Sequence, residues 1–343
     1  MRIVRIRKNG LAHAPVGDWP GPGTVREHGS TMHDECSVTL RRIVAAGAAV
    51  ALLALACIAP AHAQDIEPRA YSNAPVGVNF AIAGAVATRG DLSFNSLPLT
   101  NADLRTSSAL FAYARVLDLG GKSGKFDVIV PYTWLSGTAE YRGQPVERHV
   151  HGFGRPAFRL SINLHGAPAL GLHEFRAWQQ DLIVGASLQV SPSWGQYDAS
   201  RLVNIGSNRW SFKPEIGVSK AMGPWTLEAQ AAVTLFTDNH DFFGGNQRSQ
   251  DPLYSLQGHV IYGFRSGVWL SVDGTYFAGG RSTLNDDLGD DLQQNWRLGA
   301  TLAIPVDRLN SIKFSASSGV SARTGNNFDA LGVAWQHRWG AGL

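Results

Sequence analysis

The chain has little cysteine, little charge and, beyond its first 64 residues, no long apolar run. Its two cysteines, Cys36 and Cys57, both precede Gln64, so the rest of the chain can form neither a disulfide framework nor a thiolate metal site. Charged residues make up 17% of the sequence, against about a quarter in ordinary globular domains. After Gln64 no uncharged run is long enough for a membrane-spanning helix, and no long segment has apolar residues at helical spacing.

The apolar run within residues 40–64 has the organisation of a secretory signal peptide. Two arginines precede an uncharged apolar stretch, which ends in the small-residue pattern Ala-His-Ala at positions 61–63. We therefore predict export, with cleavage after Ala63 and a mature chain that starts at Gln64. An uncleaved anchor helix and a lipoprotein modified at Cys57 are the two alternatives.

Residues 1–63, which we call the leader, also account for the excess of basic over acidic residues in the chain. Residues 1–63 carry seven Lys or Arg and four Asp or Glu, so residues 64–343 carry 23 of each sign. A formally neutral mature chain has no basic patch of the kind that binds nucleic acid. We predict that residues 1–63, which contain a second candidate start at Met32, are removed. Residues 64–343 are then expected to form one domain without a nucleic-acid partner.

Beyond the leader the sequence alternates between apolar and polar residues, as β-strands do. The runs are about ten residues long, which is the length of a transmembrane strand. Short turns at one end of the strands and long polar loops at the other are typical of outer-membrane barrels. The short turns are 222–225, 265–267 and 307–310, and the long loops are 136–151, 237–251 and 279–293. The twelve predicted strands are 76–88, 109–119, 125–135, 157–166, 182–191, 209–220, 225–236, 254–264, 267–278, 295–306, 311–322 and 330–339.

The segment RWSFKPEIGVSK at 209–220 shows the two faces that these strands have. A soluble sandwich would turn the polar face to bulk water, and Lys, Glu and Asp would then dominate that face. In this chain the polar faces hold mainly Ser, Thr, Gly, Gln and Asn with isolated charges, which favours a narrow wet lumen surrounded by lipid. The apolar, lipid-facing side of this segment is predicted to consist of Trp210, Phe212, Ile216 and Val218.

The sequence therefore predicts an all-β fold, a single antiparallel transmembrane β-barrel of about 12 strands with short periplasmic turns and long extracellular loops. Isolated charges of both signs can neutralise one another inside such a lumen. The candidate pore-lining residues are Arg159, Asn163, Lys213, Glu215, Glu228, Gln230, Asp273, Arg297 and Lys313.

Two prolines lie within predicted strands. Pro131 and Pro214 each remove a hydrogen bond from the ladder, and proline normally occupies strand edges or bulges. A closed barrel has no edges, so we expect bulges or local kinks at both positions.

The remaining motifs indicate neither a cofactor nor a catalytic or metal site. His149 and His151 share one face of a strand, but no further ligands can be placed beside them, so we interpret them as a solvated pair. The four aspartates of 285–291 lack the spacing of an EF-hand loop and are interpreted as a polar extracellular loop, with Ca²⁺ binding as the alternative. Residues 120–125, GGKSGK, lack the frame of a P-loop and are predicted to form a turn. No Gly-x-Ser-x-Gly elbow is present, so we predict no enzymatic activity.

Six segments of the chain carry a resemblance to a known family: 67–80, 152–170, 183–198, 202–228, 290–306 and 317–340. They resemble a bacterial outer-membrane transporter-like family named "putative meta-pathway of phenol degradation". Two features depart from the family pattern: Arg155 stands in GFGRP where the family usually carries Asp, and the chain continues as GAGL after Trp339. We expect Trp339 to end the last strand.

The resemblance implies an outer-membrane β-barrel involved in uptake of hydrophobic or aromatic compounds. Its expected partners are outer-membrane lipid, small hydrophobic or aromatic solutes and, during biogenesis, the barrel-assembly machinery. The expected function is a channel for passive uptake of such solutes. The alternatives are a structural or assembly barrel with a plugged lumen and an outer-membrane hydrolase.

Overall fold

The computed structural model describes residues 67–91, 99–141, 143–324 and 327–343. The leader, with both cysteines and the predicted start at Gln64, lies outside the described residues. Among the described residues, no helix has the length and apolar character needed to cross a membrane. The regular secondary structure described is almost entirely β-structure, in two antiparallel sheets of 13 and 4 strands.

The elements follow one another along the chain as a series of strands with one short helix. They are β1 (Asn79–Asp91), β2 (Leu99–Asp118), β3 (Ser123–Tyr141), β4 (Gln144–Phe153), β5 (Ala157–His165), α1 (Leu172–Ala177), β6 (Leu182–Ser191), β7 (Ser211–Met222), β8 (Trp225–Phe236), β9 (Asn239–Phe242), β10 (Asn246–Gln250), β11 (Leu253–Gly263), β12 (Trp269–Gly279), β13 (Ser282–Leu284), β14 (Asp287–Leu288), β15 (Gln293–Pro305), β16 (Asn310–Ser321) and β17 (Asn327–Trp339).

The large sheet closes on itself. β1 pairs with β17 on one side and with β2 on the other, and β2 also pairs with β3. β4 and β5 both pair with β3, along its two halves, so together they occupy one position in the wall. The result is a closed antiparallel barrel of 12 strands, which confirms the predicted fold class. β17 ends at Trp339 as expected.

The observed strands extend beyond the alternating segments of the sequence. β3 and β4 continue through the predicted loop 136–151 as a long hairpin, and β2 extends alongside β3 there. The loops 237–251 and 279–293 contain β9, β10, β13 and β14, which form the second sheet. A polar hairpin lacks apolar alternation because neither of its faces needs to meet lipid. A two-residue turn joins β13 to β14, and both its residues, Asn285 and Asp286, have positive φ (46° and 73°), as the turns favoured in hairpins require.

The faces of the wall are arranged as in a membrane protein. In the middle of β7, Ile216 is 64% exposed, whereas its neighbour Glu215 is 7% exposed. Trp210, Phe212 and Val218 are exposed as well. Many of the most deeply buried side chains are polar, the reverse of a soluble core. An apolar exterior around a polar interior is the pattern of an outer-membrane barrel.

Aromatic side chains gather near both ends of the wall. At the end with the short turns, Trp225 and Tyr262 pack edge to face with ring centroids 4.8 Å apart. At the end with the long loops, Tyr276 and Trp296 pack with centroids 4.9 Å apart. Two such belts are expected where amphipathic rings meet the lipid headgroups.

The two strand prolines behave differently. Opposite Pro131 the neighbouring strand is interrupted between β4 and β5, and the register changes by one residue across the break; Gly154 N donates a hydrogen bond to Pro131 O at 2.9 Å. The expected irregularity is therefore present there. At Pro214 the expected bulge is absent, because β7 keeps one register against both β6 and β8. Instead, pairing with β8 is skipped between Phe212 and Glu215.

Candidate functional site in the barrel lumen

The nine candidate pore-lining residues occupy strand positions on the inner face of the wall. None of them is exposed: six are buried and three are partly buried. The structure gathers most of them around a stretch of chain that the sequence analysis assigned no role. This stretch, Glu67–Ala74, precedes β1 and enters the barrel from the end with the short turns; we call it the lumen segment.

Hydrogen bonds and ion pairs hold the lumen segment to the wall. Arg69 N donates to Glu228 Oε2 at 2.7 Å, and Gln230 Nε2 donates to Glu67 O at 3.3 Å. Glu67 also forms an ion pair with Arg159 on β5, three wall positions away from β8. The segment therefore bridges β5 and β8 through the interior of the barrel.

Tyr71 is a buried aromatic side chain of the lumen segment, at 3% exposed. Its hydroxyl donates a hydrogen bond to Glu215 Oε1 at 3.0 Å. Its ring lies against Gly185 on β6 and Gly217 on β7, which are paired across the two strands. A Cβ atom at either glycine would overlap the ring. The glycine pair thus forms a flat recess in the inner wall that fits this ring.

Charges of both signs line the inner wall beside Glu67, on β3, β5 and β7. Arg159 Nε lies 3.0 Å from Asp127 Oδ2, and Lys125 Nζ lies 3.8 Å from Asp127 Oδ1. On β7, Lys213 Nζ lies 3.4 Å from Glu215 Oε2. Paired charges of opposite sign keep this narrow interior close to neutral, since unpaired charges in such a place would be costly.

Asp273 belongs to a separate buried cluster on β11, β12 and β15. It accepts hydrogen bonds from Ser271 Oγ at 3.1 Å and Thr301 Oγ1 at 3.2 Å, and its Oδ1 lies 2.8 Å from His259 Nδ1. Ser271 contacts the aspartate and not the imidazole. In a Ser-His-Asp triad the serine must contact the histidine, so this cluster lacks the geometry of a hydrolase site.

The other three candidates are Arg297, Lys313 and Asn163. Arg297 is fully buried and donates to Phe328 O at 3.0 Å and to Ser317 Oγ at 2.9 Å, so it braces the wall between β15 and β17. Lys313 Nζ lies 5.8 Å from the ring centroid of Trp269. Asn163, on β5, is buried on the inner face.

The candidate metal ligands contact other side chains. His149 Nε2 lies 2.7 Å from Glu147 Oε1, and His151 Nδ1 lies 2.8 Å from the Tyr132 hydroxyl. Within the described ranges there is no group of three or more His, Cys, Asp and Glu side chains that could hold a metal ion. In the loop 285–291, Asp291 accepts hydrogen bonds from the backbone and hydroxyl of Ser282.

A family model decides the classification of the chain. The model described as "Putative MetA-pathway of phenol degradation" matches residues 85–336. The chain belongs to this family. The match confirms the resemblance, and it covers all nine candidate pore-lining residues of this phenol-degradation family member. The lumen segment lies ahead of the matched region.

A solved structure with a TM-score above 0.5 is an outer membrane channel. The COG4313 outer membrane channel from Pseudomonas putida F1 is 16% identical, with a TM-score of 0.67 over 80% of this chain and 100% of that chain. The transport unit of the autotransporter AIDA-I from Escherichia coli is 10% identical, with a TM-score of 0.49 over 80% and 93% of the two chains. The KdgM porin is 8% identical, with a TM-score of 0.40 over 75% and 98%. No curated protein sequence matches this phenol-degradation family member.

Proposed function

We propose that the protein is an outer-membrane channel for passive uptake of small hydrophobic or aromatic compounds. The observation that carries the proposal is the inversion of polarity across a closed wall: exposed apolar side chains surround an interior of Ser, Thr, Gln and paired charges. Such a wall is stable only with lipid outside and a polar path inside. Membership of the phenol-degradation family supports aromatic compounds as the solutes.

The end with the short turns is assigned to the periplasm and the end with the long loops to the exterior, as in other outer-membrane barrels. Solutes would then enter beneath the second sheet, β9, β10, β13 and β14, and would meet the lumen segment last. Lipid and the barrel-assembly machinery are the partners that this location requires.

Conductance and solute flux test this function directly. Protein purified from outer membranes is placed in planar bilayers, and the same preparation is used for liposome swelling with a panel of phenols and sugars. Relative to protein-free liposomes, we expect the protein to accelerate the entry of phenols more than the entry of sugars of similar size. Equal rates for all solutes, or rates equal to those of protein-free liposomes, would contradict the proposal.

A barrel with a plugged lumen and a structural or assembly role is the second candidate. The lumen segment favours it, because Glu67, Arg69 and Tyr71 occupy the interior at the periplasmic end. This candidate requires that solute flux stay absent even after the segment is detached. An outer-membrane hydrolase is the third, and ester hydrolysis by the purified protein would identify it.

We also propose that the exported protein starts at Gln64. The basis is the apolar run that ends in Ala-His-Ala at positions 61–63. Mass spectrometry of the protein extracted from outer membranes should give a chain without Cys36 or Cys57. An intact leader or a lipid on Cys57 would show that the leader acts as an anchor or as a lipoprotein signal.

A further inference from the structure

Three arginines lie together at the extracellular half of the lumen, apart from the lumen segment. Arg155 lies in the break between β4 and β5, Arg209 lies two residues before β7, and Arg248 lies on β10. The Arg155 side chain reaches past β6 and donates from Nη1 to Ser211 Oγ, at the start of β7, at 3.2 Å. The three guanidinium groups therefore belong to different parts of the chain and meet on one side of the path into the barrel.

Of the three arginines, Arg209 has the most hydrogen-bond donors without a partner among the described residues. Its Nη2 donates a hydrogen bond to Gln250 Oε1. Its Nε and Nη1 are shielded from solvent and have no hydrogen-bond partner within the described part of the chain; Nε of Arg248 is in the same state. Buried donors without acceptors are rare in folded proteins, and they are costly when the group is charged.

Few negative charges face this cluster. The Arg248 guanidinium lies 3.9 Å from Asp291 Oδ2, but Asp291 already accepts hydrogen bonds from Ser282 at 2.8 Å and 2.6 Å. Asp238 also attracts Arg209, yet it is exposed and accepts a hydrogen bond from Gln247. These two carboxylates therefore neutralise the three guanidinium groups only in part.

The positive charges act on one another. Burial lowers the pKa of Arg209, and the charges of Arg248 and Arg155 lower it further. Burial also lowers the pKa of Arg155 and Arg248. Guanidinium groups nonetheless stay protonated in proteins. An anion placed among them would relieve both the repulsion and the unsatisfied donors.

Aromatic rings line the same place. The Arg209 Cζ lies 4.4 Å from the ring centroid of Phe236, and the Arg248 Cζ lies 5.5 Å from that of Phe242. The fork of a guanidinium matches a carboxylate in shape and can bind both of its oxygens. Rings beside the fork would suit the apolar body of an aromatic molecule.

We propose that Arg155, Arg209 and Arg248 form a subsite that binds the carboxylate of a small aromatic acid entering the lumen. The proposal rests on the proposed function and specifies the solute class. The acid would donate no proton and form no covalent bond. It would supply two acceptor oxygens to donors that otherwise have none and would be released toward the periplasm.

Binding of benzoate to the purified protein tests the subsite. Isothermal titration compares benzoate with benzyl alcohol, which keeps the ring without the charge, and with inorganic phosphate, which is an oxyanion without the ring. We expect benzoate to bind most tightly and Arg209→Gln to weaken its binding about tenfold, the usual scale for losing a hydrogen bond to a charged group. The matched control is Arg201→Gln, an exposed arginine in the connection between β6 and β7, which should leave benzoate binding unchanged.

If Arg209→Gln fails to fold, Arg155→Gln is measured in its place, because that side chain has one hydrogen-bond partner in the described structure, Ser211. Equal benzoate binding by the native protein and the folded variant would overturn the subsite. Phosphate binding as tight as benzoate would overturn the assignment to aromatic acids. Benzoate and benzyl alcohol flux into liposomes separates the two proposals: benzoate binding that needs Arg209 without any flux supports the subsite and contradicts uptake.

Discussion

Replacing Ile216 with arginine is expected to lower the free energy of unfolding in bilayers by about 2–4 kcal/mol, the cost of a cationic side chain near the bilayer midplane. Ile216 lies at the middle of β7 and is the most exposed apolar residue of that strand. The measurement is folding yield and urea-dependent unfolding in lipid vesicles. Ile216→Leu is the matched control, since it changes shape without adding charge, and it should fold as the native protein does.

A fluorescence measurement tests the same face independently. Of the 10 tryptophans in the chain, a variant keeps Trp210 alone, which is 40% exposed. Lipids with brominated tails should quench its emission, whereas a fluorophore attached at position 213, on the inner face, should stay unquenched. The reversed pattern, or Ile216→Arg folding as well as Ile216→Leu, would show that the two faces have been exchanged.

Tyr71→Ala is expected to detach the lumen segment and raise single-channel conductance severalfold. Truncating a buried aromatic ring costs about 3 kcal/mol or more, and such a loss shifts the ratio of docked to detached segment by about a hundredfold. The substitution also removes the hydrogen bond from the Tyr71 hydroxyl to Glu215. Conductance in planar bilayers measures the effect, because an empty periplasmic end should pass more ions.

Tyr71→Phe is the control for the ring. It keeps the packing against Gly185 and Gly217 and removes only the hydroxyl, so its conductance should stay near that of the native protein. Unchanged conductance in Tyr71→Ala would mean that side chains elsewhere in the lumen limit ion flow. If neither the native protein nor Tyr71→Ala conducts ions, the plugged structural barrel becomes the favoured function.

The wall of the barrel can be predicted well from the sequence, because the strand and turn patterns depend only on residues close together in the chain. Each strand alternates with a period of two, and turns such as 222–225 carry Gly and Pro where the chain reverses. The inner positions follow from the same alternation, so Glu215 and Ile216 could be assigned to opposite faces. Even the break opposite Pro131 follows from the missing backbone donor of a proline.

The contents of the barrel could not be predicted in this way. Tyr71 meets Gly185 and Gly217 more than a hundred residues further along the chain, and nothing near Tyr71 in the sequence indicates that distant recess. The arginines at 155, 209 and 248 come from three separate segments and converge only when the wall is closed. Inward-facing glycines at paired strand positions were the one available signal, since an unfilled place in the wall implies a side chain from elsewhere.

The seam between β1 and β17 has a consequence for how the molecule is assembled. Asn79 and Trp339 face each other there, 260 residues apart in sequence, and contacts of such separation form late in folding. The wall strands that bond to the lumen segment are β3 and β5 to β8, which neighbour one another and do not include the strands of the seam. Those strands can therefore gather around Tyr71 while the ring is still open, so that formation of the seam encloses a segment already bound.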